Sequence, residues 1–273
     1  MIRMIVSDID GTLIPLGGSV HPDTVDAIRR AVDRGVMFVL ASGRTFLNAA
    51  AAASGIGIDC PIISANGGRA DAGTQESPIY EDRMDEALAA RVCESLIAEG
   101  CFMTSYVGTR VYTLPESNGY GSTCQRVSEA KPGRSFARQL DREGMRAEGV
   151  KGPYKFEAYS DDAELLSRLR VRFDAWGLSV SSAFPYNLEI LPPGGGKGKA
   201  VSCLAKKFGI AREEILTLGD GSNDIGLLSA SGWPVAMGNA VESLKAIASA
   251  VAPRCEENGA AWAIRKYALG EES

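Results

Sequence analysis

Histidine is almost absent, for His21 is the only one in 273 residues. A Ser-His-Asp or Cys-His catalytic set, or a multi-histidine metal site, would have to be built around that single side chain. It stands before Pro22 and Asp23, where a helix is expected to begin, so it reads as a helix-entry residue. The six cysteines, Cys60, Cys93, Cys101, Cys124, Cys203 and Cys255, include no Cys-x-x-Cys pair and no Cys/His cluster. That argues against a structural zinc site and leaves reduced, mostly buried thiols. No run reaches the roughly 18 apolar residues that a spanning helix needs, because Arg3, Asp8 and Asp10 interrupt the opening apolar stretch. A cytoplasmic location with no membrane partner is expected. A basic run is lacking too: 29 Lys+Arg face 34 Asp+Glu for a formal charge of -5, which leaves nucleic acid no electrostatic footprint.

With 45% hydrophobic and 23% charged residues, the composition is that of an ordinary globular protein. The length favours two domains over one. Four short apolar runs, Met4 to Ser7, Val36 to Ala41, Pro61 to Ser64 and Ile215 to Leu218, end in small or polar residues and read as buried parallel strands. Helical patterns at Pro22 to Arg34, Thr45 to Ala53 and Lys199 to Phe208 alternate with them. The fold class this predicts is α/β, a doubly wound parallel sheet. From about Met84 the pattern turns to mixed α+β. It has helices at Asp85 to Glu99 and Ala163 to Trp176, and strand-like segments at Cys101 to Leu114, Lys155 to Tyr159 and Leu178 to Ser182. We read residues 84–185 as an inserted domain and residues 1–83 with 186–273 as the core. Arg134, Arg138, Arg142 and Arg146, spaced by four, read as a solvated helix face.

The strongest local signal is Asp8-Ile9-Asp10-Gly11-Thr12-Leu13, directly after the first strand, where open α/β sheets place their sites. Side chains alternate along a strand, so Asp8 and Asp10 face one crevice. Paired carboxylates repel unless a cation sits between them or one holds a proton. Gly219-Asp220-Gly221-Ser222-Asn223-Asp224 follows the Ile215 strand in the same way. Asp8, Asp10, Asp220 and Asp224 would make an all-oxygen cluster suited to Mg²⁺. Ser42-Gly43-Arg44 ends the Val36 strand at a helix start, which suits an anion. In Gly194-Gly195-Gly196-Lys197-Gly198-Lys199 a lysine opens a helix within a glycine-rich turn, but without the Walker spacing.

In this order and spacing the four elements resemble the haloacid dehalogenase superfamily, specifically its Cof-type phosphatases, over the whole core. Glu189-Ile190-Leu191-Pro192, Asn66-Gly67-Gly68, Val235 to Ala240 and Asn258-Gly259 look like the same subgroup. The resemblance implies a Rossmann-like core with an α+β cap, and a Mg²⁺-dependent phosphatase acting on small phosphorylated metabolites. By it, Asp8 would be the nucleophile, Asp10 the acid and base, and Lys197 the charge that offsets both Asp8 and phosphate. Asp8, the Asp10 carbonyl and Asp220 would bind Mg²⁺, with Asp224 behind them. Thr12, Ser42, Gly43, Arg44 and Asn223 would bind phosphate or substrate, and the expected assembly is a monomer or small homo-oligomer. A phosphosugar mutase of the same superfamily is the enzymatic alternative, and a non-catalytic metabolite-binding module is the alternative of another class. Transporter-type ATPases carry threonine where Asp10 stands. Gly226-Leu227 and a long glycine run before Lys197 depart from the subgroup without removing a chemical group.

Overall fold

The computed structural model describes residues 1–115 and 137–271. The chain divides into two compact units, one of Met1–Tyr80 with Gly196–Ser273 and one of Glu81–Gly195. The first begins with β1 (Met4–Ser7), four residues buried without exception, as a strand covered on both faces requires. It leads to α1 (Pro22–Asp33), whose entry is fixed as expected: Pro22 needs no amide partner at the first position, and His21 Nδ1 accepts from the Asp23 N–H at 3.1 Å. Thr24, Ala27, Ile28 and Ala31 form its buried face. The chain continues through β2 (Met37–Ala41), α2 (Phe46–Ile56), capped by the Thr45 hydroxyl, and β3 (Ile62–Ser64). A tight turn then reverses it into β4 (Arg69–Asp71) and β5 (Pro78–Glu81). With no crossover helix between them, β3 and β4 can pair only antiparallel, and they do. One edge of the sheet thus departs from the all-parallel expectation.

The unit Glu81–Gly195 comprises α3 (Glu86–Ala98), β6 (Phe102–Val107), β7 (Arg110–Leu114), β8 (Ala137–Gln139), β9 (Lys155–Tyr159), α4 (Ala163–Ala175), β10 (Ser179–Ser181) and β11 (Asn187–Leu191). Its six strands run in the order β10-β11-β9-β6-β7-β8. The segment expected to be one strand-like stretch from Cys101 to Leu114 is an antiparallel hairpin. Val92 and Leu96 of α3 and Leu169 and Phe173 of α4 pack with Met103, Phe156 and Ile190. Residues alternating with these carry a buried polar group: Lys155 Nζ lies 2.7 Å from Glu157 and 3.2 Å from Glu189, and the Tyr159 hydroxyl donates to Glu157 at 2.8 Å. The second boundary falls at Gly195/Gly196 rather than near residue 186, because β11 pairs with β9 and β10. The arginine series is not one helix face. As a whole it spans two elements: Arg138 lies in β8, whereas Arg142 and Arg146 lie exposed on the short helical segment 142–149, where Arg146 pairs with Glu94 at 2.6 Å. Arg134 and Cys124 lie outside the described residues.

The chain returns through α5 (Lys197–Phe208), β12 (Ile215–Gly219), α6 (Ile225–Ser229), β13 (Trp233–Ala236) and β14 (Ala250–Val251). The first unit's sheet has the order β14-β13-β12-β1-β2-β3-β4-β5, parallel from β14 to β3. The segments that follow β1, β2, β3 and β12 therefore emerge together along its carboxyl edge. Cys60, Cys93, Cys101, Cys203 and Cys255 are free thiols. Among the described residues, no helix is long and apolar enough to cross a membrane.

Candidate active site

Asp8 follows β1 and is held by its own backbone, its N–H donating to the Leu218 carbonyl of β12 at 3.0 Å. The residue is 6% exposed, and its side chain meets Lys197 from the first turn of α5. Lys197 Nζ donates to Asp8 Oδ1 at 2.5 Å and to Asp224 Oδ1 at 2.6 Å, and is itself buried. One lysine thus joins the carboxylate after β1 to the one after β12. The other oxygen of Asp224 accepts the Asp220 and Gly221 N–H groups, both at 3.0 Å. Asp224 thus joins Lys197 to the Asp220 turn.

Asp220 is oriented from the other side by Thr12, whose hydroxyl donates to Asp220 Oδ1 at 2.8 Å. Thr12 was expected among the phosphate-binding residues, but its hydroxyl is spent on this carboxylate. Directly after the two aspartates of the first motif, the backbone turns at Gly11 with φ +82°, and a Cβ there would overlap the Asp220 carboxylate. Only glycine satisfies both conditions. The same turn is tied down by two residues to which the motif reading assigned no role. Asn239 Nδ2 donates to the Gly11 carbonyl at 2.8 Å while its Oδ1 accepts the Cys255 N–H at 2.9 Å, and the Cys255 thiol donates to the Thr12 carbonyl at 3.3 Å. Asn239 lies within the Val235 to Ala240 motif, which was the one available signal; Cys255 had none.

Asp10 departs from Asp8 in its surroundings. Its side chain is half exposed and accepts two hydrogen bonds from Arg44, from Nε at 2.8 Å and Nη2 at 2.6 Å. Arg44 was expected to reach toward substrate or cap; in the structure it bonds to Asp10. Burial alone would lower the Arg44 pKa, but its bonds to Asp10 hold it above the ordinary arginine value. Ser42 is buried at the end of β2, and its Oγ accepts the Arg44 N–H at 3.2 Å, with Gly43 between them. Asn223 lies in the single turn Ser222–Asp224, next to Asp224.

Asp8, Asp220 and Asp224 each offer an oxygen within 4.8 Å of the others. The Asp10 carboxylate is not part of this cluster, so the side-chain donors are three, not four. Three carboxylates crowd around one lysine, and two of them, Asp8 and Asp220, are held above the usual carboxylate range. Burial, together with Asp224 and Asp220, pushes the Asp8 carboxyl well above the usual range despite Lys197. Burial and Asp224 push Asp220 up to about 6. On Lys197, burial works downward, but Asp224 and Asp8 hold it above the ordinary lysine value. A divalent cation would remove this strain, and an all-oxygen donor set is the kind Mg²⁺ takes. The residues therefore fit the expected metal.

Comparison with known proteins gives the arrangement a family. Residues 5–264 match the haloacid dehalogenase-like hydrolase family. The chain is 27% identical, over 99% of both chains, to the 5-amino-6-(5-phospho-D-ribitylamino)uracil phosphatase YwtE of Bacillus subtilis. It is 26% identical to the pyridoxal phosphate phosphatase YbhA of Escherichia coli, over 91% of this chain and 92% of that one. A solved haloacid dehalogenase-like hydrolase from B. subtilis superposes with a TM-score of 0.87 at 26% identity, covering 97% of this chain and 100% of the other. With the expected motifs gathered at one sheet edge and a family match over nearly its whole length, the chain belongs to the haloacid dehalogenase-like hydrolases, in their Cof-type phosphatase group.

Proposed function

We propose that this chain hydrolyses phosphomonoesters of small metabolites through an aspartyl-phosphate on Asp8, with Mg²⁺ as its cofactor. The observation that carries the reading is Lys197, buried and bonded at once to Asp8 and Asp224 beside a three-carboxylate cluster. Asp8 attacks phosphorus, the new O–P bond forming as the ester O–P bond breaks. The departing alkoxide takes a proton from Asp10. Asp10 then accepts a proton from water as that water attacks the phosphoaspartate, which frees phosphate and restores both carboxyl groups. Lys197 keeps Asp8 in place and offsets the charge that gathers as an anionic phosphate approaches an anionic nucleophile. Asp8, Asp220 and the Asp10 carbonyl would hold the Mg²⁺, with Asp224 supporting. When bound, the ion neutralises phosphoryl oxygens and orients them. Ser42 and the Gly43 N–H would receive the remaining phosphoryl oxygens, with Asn223 assisting.

The named activities of the relatives support a substrate in which a phosphate ester is carried by a small polar molecule. The test is phosphate release from a panel containing pyridoxal phosphate, the phosphorylated ribitylaminouracil and several sugar phosphates, with Mg²⁺ and then with chelator. We expect Mg²⁺-dependent release that Asp8→Asn lowers by at least about 10⁴-fold, the scale of losing a nucleophile. Release at the wild-type rate by Asp8→Asn would sink the assignment, and conversion to an isomeric sugar phosphate without free phosphate would favour a mutase.

A further inference from the structure

The Asn66-Gly67-Gly68 motif has no part in the chemistry above, yet the structure puts it among the residues that do. The turn Ala65–Gly67 leaves the carboxyl end of β3 and is bonded to the loop after β2: the Ala65 N–H donates to the Arg44 carbonyl at 2.8 Å and the Asn66 N–H to the Ser42 carbonyl at 3.0 Å. On its other side the turn packs against the start of α5. A Cβ at Gly67 would lie 2.7 Å from the Lys197 backbone nitrogen and overlap the Gly196 carbonyl. The turn that carries Asn66 is therefore wedged between the backbone at Ser42 and the backbone at Lys197, the two residues that bear the hydroxyl and the cation expected at the phosphate.

Its own side chain is the anomaly. Asn66 is 2% exposed, and among the described residues both its Oδ1 and its Nδ2 are buried with no hydrogen-bond partner. Its backbone is left-handed, with φ +55°. Asparagine tolerates that conformation, but glycine adopts it more readily and would leave no amide to desolvate. Backbone geometry alone therefore does not account for a carboxamide here, and buried polar groups in folded proteins are otherwise almost always paired. We infer that the Asn66 carboxamide is a ligand-binding group of this site, its Nδ2–H₂ donating to an oxygen of the bound phosphate group. The oxygen Oδ1 is then available to a hydroxyl of the leaving group. The inference rests on the phosphatase reading, and it adds a neutral donor on the β3 side of the phosphate, opposite in kind to the charge of Lys197.

Two variants separate the amide from the backbone. Asn66→Gly keeps or eases the left-handed turn and deletes the amide; Asn66→Asp keeps size and conformational tolerance but replaces the donor with an anion. Binding of inorganic phosphate in Mg²⁺ buffer, measured by calorimetry, is the readout, with thermal unfolding to confirm that each variant is folded. We expect Asn66→Gly to weaken phosphate binding about tenfold, one charge-assisted hydrogen bond's worth. Asn66→Asp should weaken it further, by adding repulsion. Wild-type phosphate affinity in either folded variant would overturn the inference, and because the two lesions differ, loss of one to misfolding leaves the other decisive. A wild-type protein that binds phosphate but releases none from any ester would overturn the phosphatase reading alone. The affinities of the variants would still judge Asn66.

Discussion

Arg44 and Asp10 face each other as a two-pronged pair, Nε to Oδ2 and Nη2 to Oδ1, so both oxygens of the proposed acid are held by one guanidinium. A guanidinium bonded to both oxygens fixes the orientation of the Asp10 carboxyl group. To give a proton to a leaving group, Asp10 must turn at least one oxygen away from Arg44. In the proposed mechanism Arg44 thus fixes the place from which Asp10 turns toward a leaving group, and without Arg44 the proposed acid is unplaced.

Arg44 should therefore act through Asp10. We expect Arg44→Ala to slow alkyl phosphate esters about ten- to a hundredfold, within the range that general acid catalysis supplies. Para-nitrophenyl phosphate, whose leaving group needs no proton, should change far less. Arg44→Lys should not restore the alkyl esters, because an ammonium cannot make the parallel pair. Equal losses on both substrate types would show that Arg44 serves the phosphate instead.

Protonation of Asp220 predicts how stability depends on pH. The folded protein holds this carboxyl at about 6, against about 3.9 in an unfolded chain. Between those values the native state binds a proton that the unfolded state does not. Without a cation, this group's contribution is therefore greatest below the lower value and declines as pH rises through the upper one. A divalent cation takes the proton's place, so Mg²⁺ should raise Tm more at about pH 7.5 than at about pH 5. Calorimetric scans check this, with Asp220→Asn expected to remove most of the difference; equal Mg²⁺ increments at both pH values would contradict it.

Thr12 offers a test of how the metal site is held. Thr12→Val keeps the shape and removes the hydroxyl that orients Asp220, and we expect the Mg²⁺ concentration for half-maximal activity to rise about tenfold, the low end for losing such a support. Thr12→Ser should stay near wild type. A Thr12→Val enzyme with an unchanged Mg²⁺ requirement but a raised KM would return Thr12 to the phosphate.

Asn239 should prove structural. Asn239→Ala strands the Gly11 carbonyl and the Cys255 N–H, and the expected loss is about 1–3 kcal/mol of stability, read as a fall in Tm of several degrees. Mg²⁺ binding should weaken with it, since the Gly11 turn carries Asp10 and Thr12. An unchanged Tm would show that water repairs the gap.

The first strand, its helix and the carboxylates behind it were readable from sequence because strand burial, capping and alternation are local patterns: Met4 to Ser7 and His21-Pro22-Asp23 state their own roles. What was not readable depends on distant partners. The Thr12 hydroxyl looks like any hydroxyl after Asp-x-Asp until Asp220 arrives from 208 residues away, and Arg44 shows its use only where β2 lies beside β1. The arginine spacing from Arg138 to Arg146 imitates one continuous helix, but Arg138 belongs to β8, and the helical turns begin only after Asp141, which caps them. The alternation of Asn187, Leu188, Glu189 and Ile190 marks β11 as a strand but says nothing of which sheet it joins.

The position of β1 between β2 and β12 also has a bearing on synthesis. One neighbour is made immediately after it; the other follows only when the whole Glu81–Gly195 unit has left the ribosome. At about 5–20 residues per second, β1 waits on the order of ten seconds with one apolar edge unpaired. During that interval the nascent Met1–Tyr80 segment carries Asp8 but neither Lys197 nor Asp220, and its open edge is a template for another chain. Asp220 follows β12 directly, so the strand that closes this edge of β1 also delivers the carboxylates that complete the cluster around Asp8.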